Sequence, residues 1–441
     1  MTRDPRWKAA ADLLPVFQKI GRASLNHDIQ NSHSGNMAVR WTDASGRDRI
    51  AITATGSQKG DLDESGICIL SPDTTDYGYY KASSETDIHV RILSAPGVRA
   101  SMHAHVKDLV LATLDDVPKP SEPPPFRPVD PLGYAHLGRE IPVDWFAVPS
   151  GSVEMTRVVP ERLLSRPLTV IYAHGAVARG RTLAEAFFRL CVANNSGTIV
   201  QLLWKIGADV EELRRRIGAD PAACFADLPS GYEVEGDDCC DFPGEEELIR
   251  EFRKTGARIF ESRLSPFHTG SASVRGVADM LYAPKASMPR DIGGPLLRLP
   301  IDARDGDTAE IAMHKAIYAR SDFQTVLHCY VPEAEAAAHF IYPGESEPSD
   351  RIIPLDAEGA FLYLVIPILP PRFDVEDLVR LLHDYKMVVV RGGGVWAVGG
   401  QSLSEVLHHP SSLREICLIR IGAFERGLDL RKMEPAKAKK W

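Results

Sequence analysis

The sequence predicts an α/β protein built from two successive, related units. Three observations carry that reading. Stretches of helical periodicity alternate with short apolar runs of strand character. The early strands are joined by hairpin-like turns, and no strand is followed by a dinucleotide-binding glycine fingerprint, which argues against a doubly wound Rossmann sheet. The chain also repeats itself in order, and its 441 residues exceed a usual single domain.

Taken in order, Trp7 to Asp28 places Leu13, Leu14, Phe17, Ile20 and Leu25 at helical spacing, which predicts an N-terminal helix. Met37 to Trp41 and Arg49 to Thr53 read as a hairpin around a polar turn at Asp43 to Asp48. Asp61 to Ile69 reads as a short helix and a strand. Glu85, His89 and Ile92 share one helical face, with His89 packed beneath Glu85. A strand ending at His103 and His105 follows, then a helix from about Asp108 to Leu114. Eight prolines between Pro118 and Pro142 predict an extended surface connection, because proline continues neither a helix interior nor a central strand. Beyond it come a helix around Glu161 to Leu164, a buried strand from Leu168 to Ala173, and a long helix from Thr182, its N-cap, to Asn195.

From Ile217 to Gly244 periodicity fades, and Asp, Pro, Gly and Cys accumulate. Residues 217–244 are therefore read as a linker between units at 1–216 and 245–441. Across it the pattern returns. His33-Ser34-Gly35-Asn36-Met37-Ala38-Val39-Arg40 corresponds to His268-Thr269-Gly270-Ser271-Ala272-Ser273-Val274-Arg275. Glu85 and His89 correspond to Glu310 and His314, His103-Ala104-His105 to His328-Cys329-Tyr330, and Ala173-His174-Gly175 to Gly392-Gly393-Gly394. The offset drifts only from 235 to 225 to 219, as small deletions would produce.

Hydrophobic content of 44% and charged content of 25% are those of an ordinary soluble protein. A net charge of -9 disfavours a general nucleic-acid binder; Lys437, Lys439 and Lys440 make only a short basic tail. No apolar run reaches the length of a membrane span, and Arg3, Asp4, Arg6 and Lys8 do not open a secretion signal. Small-molecule substrates are thus expected, not nucleic acid or membrane. The seven cysteines are scattered, with Cys239-Cys240 their one cluster, so they read as reduced thiols in a cytoplasmic protein.

The chemistry concentrates in the first unit. His103 and His105, two apart on a strand, point to one face and are able to chelate one ion. With Glu85 upstream and His174 downstream they form an N/O set suited to zinc or another first-row divalent ion such as Mn2+. Glu85 is either the fourth ligand or a nearby base. In the second unit Tyr330 and Gly393 replace two of the histidines, so it reads as a degenerate copy without a metal site.

Gly35-Asn36, Thr55-Gly56, Ser83-Ser84-Glu85, His103-Ala104-His105 and Ala173-His174-Gly175 occur in the order and approximate spacing of the class II aldolase/adducin family. Over residues 10 to 205 the chain resembles the family's enzymes, such as L-fuculose-1-phosphate aldolase and L-ribulose-5-phosphate 4-epimerase. It resembles adducin less, whose head domain lacks the metal ligands. The resemblance implies in each half a mixed, largely antiparallel sheet flanked by helices. It implies a metal-dependent lyase that cleaves a C–C bond in a small anionic, possibly phosphorylated, sugar-like carbonyl compound through a metal-stabilised enediolate. Glu85 would be ligand and acid/base in turn. Gly35, Asn36, Thr55, Gly56, Ser83 and Ser84 match the positions that hold the substrate phosphate, a role that glycine, amide and hydroxyl groups suit. Lys59 follows Thr55-Gly56 closely and is a candidate cation beside these motifs. Epimerisation, dehydration or decarboxylation would use the same logic, and a non-catalytic, adducin-like interaction module is the alternative of a different class. Assembly as a homodimer forming a pseudo-fourfold ring, each first copy beside second copies, is also implied.

Overall fold

The computed structural model describes residues 10, 12–43, 45–72, 81–226, 244–267, 269–284 and 296–436. They divide into two compact units, one comprising Met1–Pro128 and His136–Gly197, the other Val129–Ala135 and Thr198–Trp441. Each unit is an α/β layer structure around its own sheet.

The first sheet has seven strands: β1 (Asn36–Thr42), β2 (Asp48–Thr53), β3 (Ile67–Leu70), β4 (Ala100–Ala104), β5 (Val143–Asp144), β6 (Leu168–Ile171) and β7 (Gly175–Gly180). Their order is β3-β2-β1-β4-β7-β6-β5. All neighbours are antiparallel except β5 and β6, so the sheet is mixed and largely antiparallel. The β1–β2 turn is held by Asp43, whose Oδ1 accepts the amides of Ser45 at 2.9 Å and Arg47 at 3.0 Å. Behind the sheet, Ile88 and Ile92 of the Thr86–Leu93 helix and Met155, Val159 and Leu163 of the Val153–Ser165 helix pack on Ala38, Ile50, Ile52 and Val177. Each such burial contributes about 1.5–3 kcal/mol.

Register places the chemistry. Asn36 at the start of β1 lies opposite His103 near the end of β4, and His103 lies opposite Val177 near the start of β7. Three motifs far apart in sequence thereby meet at one end of three adjacent strands.

The second sheet repeats the pattern. Its strands are β8 (Ser271–Arg275), β9 (Asp279–Ala283), β10 (Leu297–Pro300), β11 (Thr325–Cys329), β12 (Arg351–Ile352), β13 (Ile366–Leu369), β14 (Met387–Val390) and β15 (Gly394–Gly399). Their order, β10-β9-β8-β11-β15-β14-β13-β12, is that of the first sheet with one extra edge strand. The parallel pair recurs at the equivalent place, between β13 and β14. Ser271 lies opposite His328, and His328 opposite Trp396, in the register of Asn36, His103 and Val177.

Several local expectations change. The proline-rich stretch is not wholly extended: it contains a helix at Pro131–Leu137. Proline is tolerated there because it opens the first turn, and Asp130 Oδ2 accepts the Gly133 amide at 2.8 Å. The helix around Glu161 begins at Val153, capped by Ser152, whose Oγ accepts the Met155 amide at 3.2 Å. The long helix runs Leu183–Lys205, with the Glu185 amide donating 3.1 Å to Thr182 Oγ1. The stretch read as a linker begins inside the last turn of a Val210–Ala219 helix and holds a second, short one at Pro221–Cys224. Residues 227–243 with the Cys239-Cys240 pair, His268, the residues before Ala10 and the basic tail from Lys437 lie outside the described residues. Among those described, no helix is long and apolar enough to cross a membrane.

Candidate metal centre

The imidazoles of His103, His105 and His174 converge, with ligand atoms all within 4.8 Å of one another. Among the described residues this is the one group of His, Cys, Asp or Glu side chains gathered closely enough to hold a metal ion. His103 is on β4, His105 just beyond its end, and His174 in the tight turn from β6 to β7. That turn is sharp enough to force Ala173 to a positive φ of 54°. Such a backbone costs a non-glycine residue about 1 kcal/mol, a strain held next to His174 only because the strands on both sides pin it.

The tautomers follow from the hydrogen bonds. His103 Nδ1 donates to the Ala176 carbonyl at 3.0 Å, which leaves the lone pair on Nε2, facing the other rings. His103 Nε2, His174 Nδ1 and Glu85 Oε1 are all buried without a hydrogen-bond partner. Unpaired buried polar atoms are costly, and the ring nitrogens gathered here are what a divalent cation held among the three imidazoles satisfies. Burial, together with the neighbouring imidazoles, lowers His105 to about 4 and lowers His174, so these rings stand neutral, as ligands must. The residues present fit the metal.

Glu85 stands beside this group, outside the set of three. It precedes the Thr86–Leu93 helix and is 5% exposed; its Oε2 lies 3.9 Å from His103 Nε2. A chain of hydrogen bonds holds it there. Asn36 Nδ2 donates to Glu85 Oε2 at 2.7 Å and to Ser83 Oγ at 3.0 Å. With its amide group so committed, Asn36 Oδ1 accepts from His89 Nε2, and His89 Nδ1 accepts from Ser101 Oγ at 2.6 Å. Each donor dictates the next. Burial lowers His89 to about 4, so it stays neutral in this relay. Burial by itself raises the Glu85 carboxyl, but facing His103, the Asn36 amide and the other imidazoles outweigh it and hold it below the usual carboxylate range.

All ten residues singled out in the sequence line one cleft of about 230 Å³, together with His33, Ala54, Lys59 and Ser150. Their roles differ. Thr55 Oγ1 donates to the Ala82 carbonyl at 2.7 Å, and Asn36 is committed to Glu85. Ser83 Oγ accepts from Asn36 and from the Glu85 amide at 3.2 Å, which leaves its own proton to donate. Gly35 serves the packing, since a Cβ there would meet the His103 carbonyl oxygen at 2.5 Å. Gly270, its counterpart, meets the His328 carbonyl oxygen at the same 2.5 Å, so this glycine is required in both copies whether or not ligands are present. His33 and Ser150 escaped the sequence reading. Both are exposed loop residues, and Ser150 reaches the cleft because Gly151 abuts the Ser84 carbonyl, a contact without sequence periodicity.

The second copy closes its equivalent site with protein atoms. His328 Nε2 donates to the Gly393 carbonyl at 2.8 Å, and His328 Nδ1 meets Glu310 Oε1 at 3.0 Å. Both ring nitrogens are thus engaged by protein atoms. Trp396 stacks on His328 with centroids 4.2 Å apart, and Tyr330 stands where His105 does in the first copy. A side chain at Gly393 would meet Ala226 Cβ at 2.6 Å, and the Ala226 amide donates to the Gly392 carbonyl at 2.9 Å. The third histidine therefore has no room to return.

The profile of the class II aldolase and adducin N-terminal domain family matches residues 16–199 and again residues 250–421. A methylthioribulose-1-phosphate dehydratase of Parvibaculum lavamentivorans is 37% identical over 73 residues, 16% of this chain and 33% of that protein. A 5-methylthioribulose-1-phosphate/5-deoxyribulose-1-phosphate aldolase of Rhodospirillum rubrum is 30% identical over 163 residues, 36% of this chain and 66% of that protein. The chain thus spans between a third and two thirds of the length of these relatives. The crystal structure of L-fuculose-1-phosphate aldolase from Thermus thermophilus superposes with a TM-score of 0.38 at 25% identity, covering 44% of this chain and 96% of that one. With the profile matched in both halves, the chain belongs to the class II aldolase and adducin N-terminal domain family.

Proposed function

We propose that the first copy is a metal-dependent lyase that cleaves a C–C bond in a small anionic, sugar-like carbonyl compound, with a phosphorylated five-carbon ketose as the leading substrate class. The observation that carries this is the convergence of three imidazoles beside a buried, relay-held carboxylate in one cleft. The all-imidazole donor set favours Zn2+ over harder ions. When bound there, the ion supplies Lewis-acid polarisation of a substrate carbonyl. Glu85 supplies the base: Oε2 is fixed by Asn36, while Oε1 is free to take or return a proton. Ser83, with its hydroxyl proton unspent, helps hold the anionic end of the substrate, alongside the Thr55-Gly56 and Ser84 loops.

The names of the two relatives keep dehydration as a second reading, since one is a dehydratase and the other an aldolase. Assaying the purified enzyme with phosphorylated ketoses and related 2-oxo compounds separates them. Cleavage into two carbonyl fragments supports the aldolase reading; loss of water from an intact carbon skeleton supports the dehydratase. Absence of both in metal-loaded protein would contradict the proposal.

Residues 1–216 are proposed as the metal-binding domain, 217–244 as the connection and 245–441 as the degenerate domain, in line with the two profile matches. Two chains would then supply four family units and close a pseudo-fourfold ring. Five free cysteines among the described residues accord with a cytoplasmic location.

A further inference from the structure

Cleaving the C–C bond between a hydroxyl-bearing carbon and the carbon next to a carbonyl requires proton transfer on both fragments. The hydroxyl of the leaving carbon gives up its proton as it becomes an aldehyde, and the carbon left behind takes one up. Glu85, 5% exposed and 3.9 Å from His103 Nε2, is placed beside the ligands and so serves the retained fragment. The other transfer takes place on the fragment that departs, and a group at the open surface of the cleft suits it.

Among the cleft's described lining residues, His33 is the one imidazole or carboxylate outside the metal centre and its relay. The residue is exposed, yet its backbone is fixed. Its carbonyl accepts from the buried Lys59 Nζ at 3.2 Å, and its amide donates to Asn31 Oδ1 at 3.2 Å. Two residues on, a Cβ at Gly35 would meet the His103 carbonyl oxygen at 2.5 Å, which sets this loop against the ligand strand. The ring is also within electrostatic reach of the ligands: burial first, then charge on neighbouring imidazoles, His33 among them, lowers His105. Ser32 Oγ lies 3.2 Å from His33 Nδ1. The tautomer that donates this bond leaves the lone pair on Nε2, which no hydrogen bond among the described residues engages.

We propose that His33 is a further catalytic residue, the base that takes the hydroxyl proton of the leaving carbon through Nε2. The proposal rests on the reading of the first copy as a C–C lyase. In that step the O–H bond breaks and its proton goes to Nε2, while the oxygen's electron pair forms the aldehyde C=O. The C–C bond breaks at the same time, and its pair passes to the carbonyl-bearing fragment as an enediolate. Glu85 Oε1 takes the proton of the hydroxyl on that fragment and returns it to the fragment's carbon. The proton on His33 goes back through solvent to the same hydroxyl oxygen. Atoms and electrons balance, and both residues end as they began.

Exchange of the product ketone's protons bypasses the leaving fragment, so it separates His33 from Glu85. Full-length, zinc-loaded protein is assayed for cleavage of ribulose 1-phosphate into dihydroxyacetone phosphate and glycolaldehyde. The same protein is followed by NMR for exchange of the hydroxymethyl protons of dihydroxyacetone phosphate in heavy water. His33→Gln should lower kcat for cleavage about 100-fold, with zinc content within about twofold of wild type. Its exchange rate should also stay within about twofold, because no proton of the leaving fragment takes part. Glu85→Gln should lose both activities. Cleavage by His33→Gln within about twofold of wild type would overturn the proposal, as would an equal loss of cleavage and exchange in both His33→Gln and His33→Ala, the mark of a structural role. Zinc-loaded wild type that does not cleave would instead count against the functional reading, and the proposal would fall with it.

Discussion

At the scale of single residues, the site depends on who donates to whom. Asn36 has one amide and one carbonyl; with the amide spent on Glu85 and Ser83, the carbonyl must accept, which fixes His89 as a donor and Ser101 as the donor behind it. The result is a carboxylate with one oxygen anchored and one free. Glu85→Gln should therefore keep the fold and the metal but lower turnover by about 100-fold or more, read from steady-state kinetics beside elemental analysis. Turnover near wild type would reduce Glu85 to a neighbour of the site. His103 and His105 are legible in the sequence because period two and the chelate chemistry make one statement. Glu85 and His89 are legible as a helical pair, although Glu85 sits at the cap, one residue before the helix. The commitment of Asn36 to Glu85 is not legible, since 49 residues separate them and one opens a strand while the other stands at a helix start.

At the scale of elements, three strand ends make the centre, and close backbone approach makes the strand ends meet. A Cβ on Gly175 would lie 2.5 Å from the Ala104 carbonyl oxygen and 2.9 Å from His103 Cε1. Gly175→Ala should destabilise the protein by about 1–3 kcal/mol in urea unfolding and also lower metal content, because it displaces a ligand ring. Full metal retention at wild-type stability would mean that the turn yields more easily than this geometry allows. The strands and most helices follow from periodicity, and the repeated motifs foretell that both sheets share an order. The Pro131–Leu137 helix does not follow, because eight prolines argue against regular structure unless one falls at a helix start. The extra edge strand β12 is only two residues long and pairs with a single neighbour, too short to leave a pattern.

At the scale of the whole molecule, duplication has produced two units with one strand order and opposite fates. The first leaves ligand nitrogens unpaired; the second spends its histidine on Glu310 and Gly393 and covers it with Trp396. Light scattering on the purified chain should report a dimer if four family units close a ring. A monomer at micromolar concentration would contradict that assembly. The count of bound metal bears on the central claim most directly. Elemental analysis of full-length protein loaded with zinc and freed of excess ion should give one zinc per chain, falling to none in the His103→Ala/His105→Ala double variant with the circular dichroism spectrum unchanged. Two zinc ions per chain, or an undiminished content in the double variant, would contradict the assignment of a single centre to the first copy.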